Sequence, residues 1–389
     1  MTEIRKLKKE DMSELLDLLN QTFGHKYGRP MYFDKEQPKM WIGDDLHMER
    51  HIAVFEDGKM AAVVGVYPLH TVIGGEEFLF FTTGNVATLP QYEGKGYFSK
   101  IFPLAIEEAK RGGAIGARLG GARQRYARYG FESCGPAYEF ILTEHNAKHA
   151  GKESEAFTLE EISREDTEAL AYCHALMEKK PMFVRRDTSE GFRDMYLAMC
   201  SKEALPYLIK KHGRRIGYLC AKNGFGSILE FSTENETDIV PAALAAAKKS
   251  KNGQTHITVS PLMPHAITAL QAVAQEIALV YPSRFNFFSL ERLVNRLLRM
   301  AAELSPLPSF DFCLEIEGGE TLLLHSGKDG THCKKTEKRP DLTLSHLEAS
   351  RLLFGMNAKD LLISLPADLQ IALRATLPLP FTWATNDFV

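Results

Sequence analysis

Gln91-Tyr92-Glu93-Gly94-Lys95-Gly96-Tyr97-Phe98 is the stretch of this 389-residue chain whose residue types and spacing point to chemistry. Two glycines one residue apart let the backbone come close to a ligand. Behind them Ile101, Leu104, Ala105 and Ala109 recur at helical spacing, so the turn opens onto a helix N-terminus. The unpaired N–H groups of a first helical turn, with the positive end of the helix dipole, favour an anion. The spacing is neither GxxxxGK(S/T) nor GxGxxG, so it is a phosphate cradle of another kind or an ordinary glycine-rich connection. A phosphate-bearing cofactor is its natural occupant.

The elements that must hold this turn are legible on both sides. An apolar strand, Phe80 to Thr88, is stopped by Pro90, and the helix runs from Phe98 to Arg111. A second strand and a tyrosine-bearing turn, Tyr126-Ala-Arg-Tyr129-Gly130-Phe131, follow. Upstream, a strand (Ile4 to Leu7) leads into a helix with the stripe Met12, Leu15, Leu16, Leu19 and Phe23, opened by a capping-box-like Asp11 and Glu14. Residues 24–50 read as a loop-helix excursion around Met40 and Trp41 that roofs a substrate site. Its acids Asp34, Glu36, Asp44 and Asp45 are candidates to attract a cation, or simply a solvated loop face. An antiparallel meander through Asp57-Gly58 and Gly74-Gly75 then returns to Thr88.

After a polar linker, Glu144 to Glu155, the pattern starts again. Ile4, Leu7, Asp11 and Leu15 recur as Leu159, Ile162, Asp166 and Leu170, and the turn Asp57-Gly58 returns as His212-Gly213, each 155 positions on. Two landmarks at one offset indicate a duplicated domain. Where the first copy has its glycines, the second passes from strand Ser227 to Ser232 through Glu234, Glu236 and Asp238 into a helix, and a diphosphate there would meet like charge. The second copy is therefore read as degenerate. From Ser289 an arginine-bearing helix, a hairpin through Gly318-Gly319, the passage Asp341-Leu-Thr-Leu-Ser345 and three further helical segments make an α+β tail.

A net charge of −3 gives no global basic character to recommend nucleic acid or an anionic membrane. The N-terminus carries charges where a secretion signal needs an apolar core, and no apolar run approaches the roughly 18 residues of a membrane span. A cytoplasmic protein is expected. Cys134, Cys173, Cys200, Cys220, Cys313 and Cys333 lack metal-ligand spacing and read as reduced buried thiols, with no metal site; a nucleophilic Cys134 is the sharper alternative.

Gln91, Gly94 and Gly96 after Asn85-Val86-Ala87-Thr88, followed by Tyr126 to Phe131, resemble the GNAT superfamily of N-acetyltransferases. The tail, in its PDLTLS and LLFG passages, resembles the sterol carrier protein fold. Two GNAT copies before such a tail resemble the enhanced intracellular survival (Eis) acetyltransferases. The resemblance implies a mixed α/β (α+β) fold of two tandem GNAT-like domains, the second degenerate, and a sterol-carrier-protein-like domain. Residues 1–145 would be the catalytic domain, 156–286 the degenerate copy and 287–389 the third domain.

It further implies acetyl-CoA as co-substrate, with Val86, Ala87 and Thr88 on the pantetheine and thioester. Gln91, Tyr92, Glu93, Gly94, Lys95, Gly96, Tyr97 and Phe98 would surround the pyrophosphate. Tyr126 matches the family's acid, which protonates the departing thiolate, and Tyr129 is its competitor. A phenol of pKa about 10 giving a proton to a thiolate of about 8.5 is uphill by only about 2 kcal/mol. The terminal carboxylate, here of Val389, is implied as base or amine-orienting group, where the family often ends in an aromatic residue; a frayed bystander terminus is the plain alternative. The acceptor implied is a primary amine of a small polycation, aminoglycoside-like or polyamine-like, and the assembly a homo-oligomer, a hexamer in that family. Protein lysine acetylation, or a non-catalytic CoA- or lipid-binding module, remains as the alternative.

Overall fold

The computed structural model describes residues 1–41, 44–149, 156–355 and 358–383. The chain opens with β1 (Thr2–Lys6) and α1 (Met12–Tyr27), whose Leu15, Leu18 and Leu19 are buried. The capping box expected at α1 is not formed: the Asp11 carboxylate accepts from Arg5 and from the Lys8 amide, and Glu14 reaches across to the Met60 amide. The excursion that follows contains α2 (Phe33–Glu36) and α3 (Asp45–Met48). Then come β2 (His51–Glu56), β3 (Lys59–Ile73), β4 (Glu76–Thr88), α4 (Tyr97–Arg111), β5 (Gly116–Leu119), α5 (Arg123–Ala127) and β6 (Glu132–Cys134). Strands β2 and β3 are apolar on both faces because α4 covers one side of the sheet and α1 with α2 the other.

The second run comprises β7 (Ala137–Thr143), α6 (Glu144–His149), β8 (Phe157–Glu161), α7 (Thr167–Met177), β9 (Met182–Val184), α8 (Ser189–Met199), β10 (Leu205–Lys211), β11 (Arg214–Lys222), β12 (Ser227–Thr233), α9 (Ile239–Lys249), β13 (Gln254–Val259), α10 (Pro264–Gln271), β14 (Glu276–Val280) and β15 (Ser283–Phe287). The first six residues of the expected linker are thus helical, with Asn146 accepting from the Thr143 amide at the helix start. The repeat is real in three dimensions. The turns Asp57-Gly58 and His212-Gly213 share φ values of 49° and 80°. The sheets run β1-β2-β3-β4-β5-β15-β6 and β8-β10-β11-β12-β13-β7-β14, position for position. The sixth strand of each comes from the other half: β7, within 1–145, lies between β13 and β14, and β15, which ends one residue past 156–286, lies between β5 and β6.

The tail adds α11 (Glu291–Leu304), β16 (Phe310–Ile316), β17 (Thr321–Gly327), β18 (Gly330–Lys335), β19 (Leu342–Leu344), α12 (His346–Phe354) and α13 (Ala367–Thr376). Its four strands form a separate sheet, β18-β17-β16-β19. The capping box Ser345/Glu348 is present at α12. Arg296 of α11 is buried and paired with Glu303 at 2.9 Å. Phe381 and Trp383 return to the first sheet, with ring centroids 4.9 Å (Phe285–Phe381) and 5.3 Å (Phe80–Trp383) apart. The third segment therefore shares one continuous core with the first sheet.

Next to the strand that joins the second half to the first lies a buried ion pair of the second half. Beyond β9, which pairs with β3, Arg186 donates to both oxygens of Glu230 on β12 at 3.1 and 2.6 Å, and the Tyr218 hydroxyl donates to Glu230 at 2.6 Å. Burial alone would raise the Glu230 carboxyl; Arg186 foremost, then Lys180 and the hydrogen bonds, outweigh it and hold the group well below the ordinary glutamate range. A carboxyl depressed on folding contributes stability that is full above its unfolded pKa, about 4.3, and is lost as pH falls through the folded value. Arg186→Met strands a buried charge and is expected to cost about 3–5 kcal/mol in urea unfolding at pH 7, with Glu230→Gln in that background recovering part of it.

Candidate active site

The register of β4 creates the site. It runs parallel to β5 from Phe80 opposite Gly116 to Thr83 opposite Leu119; Gly84 to Thr88 then continue with β3 on one side and, among the described residues, no strand on the other. On the β3 side Gly65 faces Gly84 but Val63 faces Ala87, so β4 carries one extra residue, a bulge at which Asn85 takes φ 52°. Val86, Ala87 and Thr88 lie on this one-sided stretch, whose backbone groups are open to a ligand lying where β5 has left.

The expected turn follows directly. A 3-10 turn covers Pro90–Tyr92, Gly94 and Gly96 adopt φ of 79° and 75°, and α4 begins at Tyr97 with no side-chain cap. A Cβ built on either glycine would meet nothing within 4 Å, so the space over the cradle is open. The residues around it divide by role. Lys95 donates to Glu56 at 2.7 Å and the Tyr97 hydroxyl donates to the same carboxylate, which fastens the turn to the end of β2. Gln91 and Glu93 are exposed, Tyr92 packs against Tyr97, and half-buried Phe98 turns toward the tyrosines. With the Lys95 ammonium engaged by Glu56, it is the backbone of the turn that is open to an anion.

Tyr126 sits in α5 just beyond β5, its ring edge-on to Phe98 at 6.0 Å and in contact with Phe102 and Phe131. Gly121, at φ 111°, makes room for it, since a Cβ there would come 3.0 Å from the ring. Burial raises its hydroxyl above the ordinary phenol value against the opposing Arg125, so it stays protonated at neutral pH. Tyr129 is half-buried and also edge-on to Phe98, at 5.7 Å, with the Arg128 guanidinium 4.9 Å from its ring. Cys134 is fully buried, and burial pushes its thiol well up, so it is no nucleophile. Val389 lies outside the described residues; the chain is described to Trp383, whose ring lies 5.7 Å from the Arg118 guanidinium.

Beside β3 a cavity of about 780 Å³ opens between the excursion, with Lys39, Met40 and His47, and the segment leading into α8. The excursion does roof it, but Asp34, Glu36, Asp44 and Asp45 do not line it. Glu36 pairs with Arg29, Asp44 caps α3 and Asp45 accepts from the Lys9 amide. The acids on the wall are Glu178, Asp187 and Asp194, from the second half. Tyr67 also lines the cavity, and behind it lies a polar cluster that sequence reasoning passed over. The Tyr67 hydroxyl is 2.6 Å from His51 Nε2 and 2.7 Å from Asn85 Nδ2, under the Trp41 ring. Burial lowers His51 to about 4, so it is neutral at physiological pH. The available signal was polar residues, His51 and Asn85, inside otherwise apolar strands.

Comparison with known proteins agrees with this geometry. Residues 3–134 match the acetyltransferase (GNAT) domain family, about a third of the chain. No curated protein matches. Over the whole chain the fold is similar to a probable N-acyltransferase from Enterococcus faecalis (15% identity, TM-score 0.68, 100% of both chains). It is also similar to a GCN5-related N-acetyltransferase from Kribbella flavida (13%, 0.65, 100% of this chain and 98% of that one) and to Eis1 from Mycobacterium abscessus (16%, 0.62, 100% of both). Together the domain match and the fold support an N-acetyltransferase of the GNAT type.

Gly96→Ala places a methyl group in the open cradle at a φ that L-residues resist. Calorimetry is expected to show coenzyme A binding weakened about tenfold or more, with far-UV circular dichroism unchanged.

Proposed function

We propose that this chain transfers the acetyl group of acetyl-CoA directly to a primary amine of a small polycationic acceptor. The observation that carries the reading is the conjunction at β4. A strand that loses its neighbour at Gly84 runs into a helix whose first turn, Gly94 and Gly96 included, presents free N–H groups to open space. The diphosphate fits that cradle by chemistry and by room. The one-sided stretch Val86 to Thr88 is suited to the pantetheine amides and the thioester, and its N–H groups to the developing oxyanion. Acetyl-CoA supplies the activated acyl group and a thiolate leaving group. Tyr126, protonated by virtue of its burial and next to Phe98, is the proposed acid for that thiolate.

A cavity of about 780 Å³ is in the range of small-molecule sites, roughly 300–1,000 Å³, which favours a small acceptor over a folded protein. Of its basic groups, Arg185, Arg186 and Arg193 are paired with Glu77, Glu230 and Glu190, outside the lining. The wall's carboxylates are Glu178, 3.6 Å from His174, Asp187, which accepts from Ser189, and Asp194, which accepts from the Asp187 amide; with Lys39 and Arg50 opposite, these three acids support a cationic acceptor. The Val389 carboxylate belongs to the same proposal as the amine's base or orienting group.

Tyr126→Phe is expected to lower kcat by about 10²-fold or more with acetyl-CoA affinity kept; an unchanged kcat removes this residue from the reaction. Deleting Asp387 to Val389, or appending a C-terminal tag, is expected to abolish CoA release with amines, and full activity of the tagged protein makes the terminus a bystander.

A further inference from the structure

The buried cluster behind the cavity has a direction. His51 Nδ1 lies 3.3 Å from the Met48 carbonyl, which can only accept, so this nitrogen carries the proton and Nε2 is left as an acceptor. The Tyr67 hydroxyl therefore donates to Nε2, and the Tyr67 oxygen in turn accepts from Asn85 Nδ2. Each bond fixes the next. The chain ends at Asn85 Oδ1, a carbonyl oxygen in a side chain 4% exposed, with no hydrogen-bond donor among the described residues. A buried acceptor without a donor is costly, and a protein keeps one where something else supplies the hydrogen.

Its position says what that something is. Asn85 occupies the bulge at the start of the one-sided stretch of β4, and Val86, one residue on, faces the α4 side. Asn85 faces the opposite way, toward the β2–β3 side and the tyrosine that lines the cavity. The strand proposed for the thioester and the wall of the acceptor cavity are thus one hydrogen bond apart here, from Asn85 to the lining residue Tyr67. Resting on the acetyltransferase reading above, we propose that Asn85, held in place by Tyr67 and His51, binds the acceptor's amine through Oδ1 and turns its lone pair toward the thioester carbon.

A neutral primary amine has two N–H donors and one lone pair; an acceptor oxygen engages a hydrogen and leaves the lone pair free to attack. Asn85 gains and loses no proton. The N–C bond forms as the C–S bond breaks, the amine proton leaves through water, and the thiolate takes its proton from Tyr126. The arrangement is built with care for the hydroxyl's place. The Tyr67 ring lies back over Gly65, where a Cβ would come 2.3 Å from the hydroxyl oxygen. The left-handed backbone at position 85 suits asparagine, and glycine equally.

That last point provides the test. Asn85→Gly keeps the bulge and deletes the amide. With spermidine and kanamycin as acceptors, the expected result is a fall of about tenfold to a hundredfold in kcat/KM for the amine, with KM for acetyl-CoA within about twofold of the parent. Tyr67→Phe, which frees the amide to turn, is expected to lose about threefold to tenfold on the same parameter. Parental amine kinetics in both variants, or a loss shared equally by acetyl-CoA KM, overturns the proposal and leaves the cluster a structural one. If the parent itself releases no CoA with spermidine, kanamycin or a lysine peptide, the acetyltransferase reading fails first and this inference with it.

Discussion

Backbone N–H groups inside a protein must be paired, and a sheet whose strands separate leaves a row of them without partners. This chain accepts that condition where β4 parts from β5 after Thr83, and the rest of the site is arranged around that point. The bulge at Asn85 re-aims the strand, the glycine turn brings the α4 N-terminus to its end, and Gly121 lets Tyr126 stand beside the gap. A ligand with an extended amide-bearing arm and a diphosphate satisfies both sets of donors at once. The second half separates earlier, with β12 and β13 paired only at Ser227 and Ile228.

What fills that second opening differs in kind. Its acids are used up locally: Glu236 accepts from the amides of His265 and Ala266, Glu234 pairs with Arg214 and Asp238 with Lys211. The remaining space, about 80 Å³, is walled in part by Thr382 and Trp383 of the tail. Glu236 caps the start of α10, while α9, which stands where α4 does in the first half, has no side-chain cap. One architecture thus carries a glycine-bearing turn open to space and an acidic turn engaged in local bonds.

The sequence exposed the site's backbone more readily than its side chains. Glycines at 94 and 96 announce themselves because only their type tolerates the left-handed φ, and the turns at 57 and 212 could be matched because turn chemistry is local. The cavity's acids could not be read, because Glu178, Asp187 and Asp194 come from a half that looked chemically silent, while acids in the roof are occupied by caps and ion pairs. His51, Tyr67 and Asn85 lie 16 and 18 residues apart in sequence and meet only through strand register and the bulge. The strand exchange was equally invisible, since β7 and β15 each follow their own copy in order, and pairing across halves leaves no mark on periodicity.

That exchange bears on why the duplicate persists. A copy that has lost its phosphate turn would ordinarily be free to erode, but Phe285 and Phe287 of β15 sit in the catalytic sheet, with Phe285 paired to Arg118 on β5. The silent half is a lender: it supplies the strand that seals its twin and receives β7 in return. Selection on the reaction therefore reaches residues far from any ligand, and the two halves can diverge in chemistry only as far as their mutual loan of strands allows.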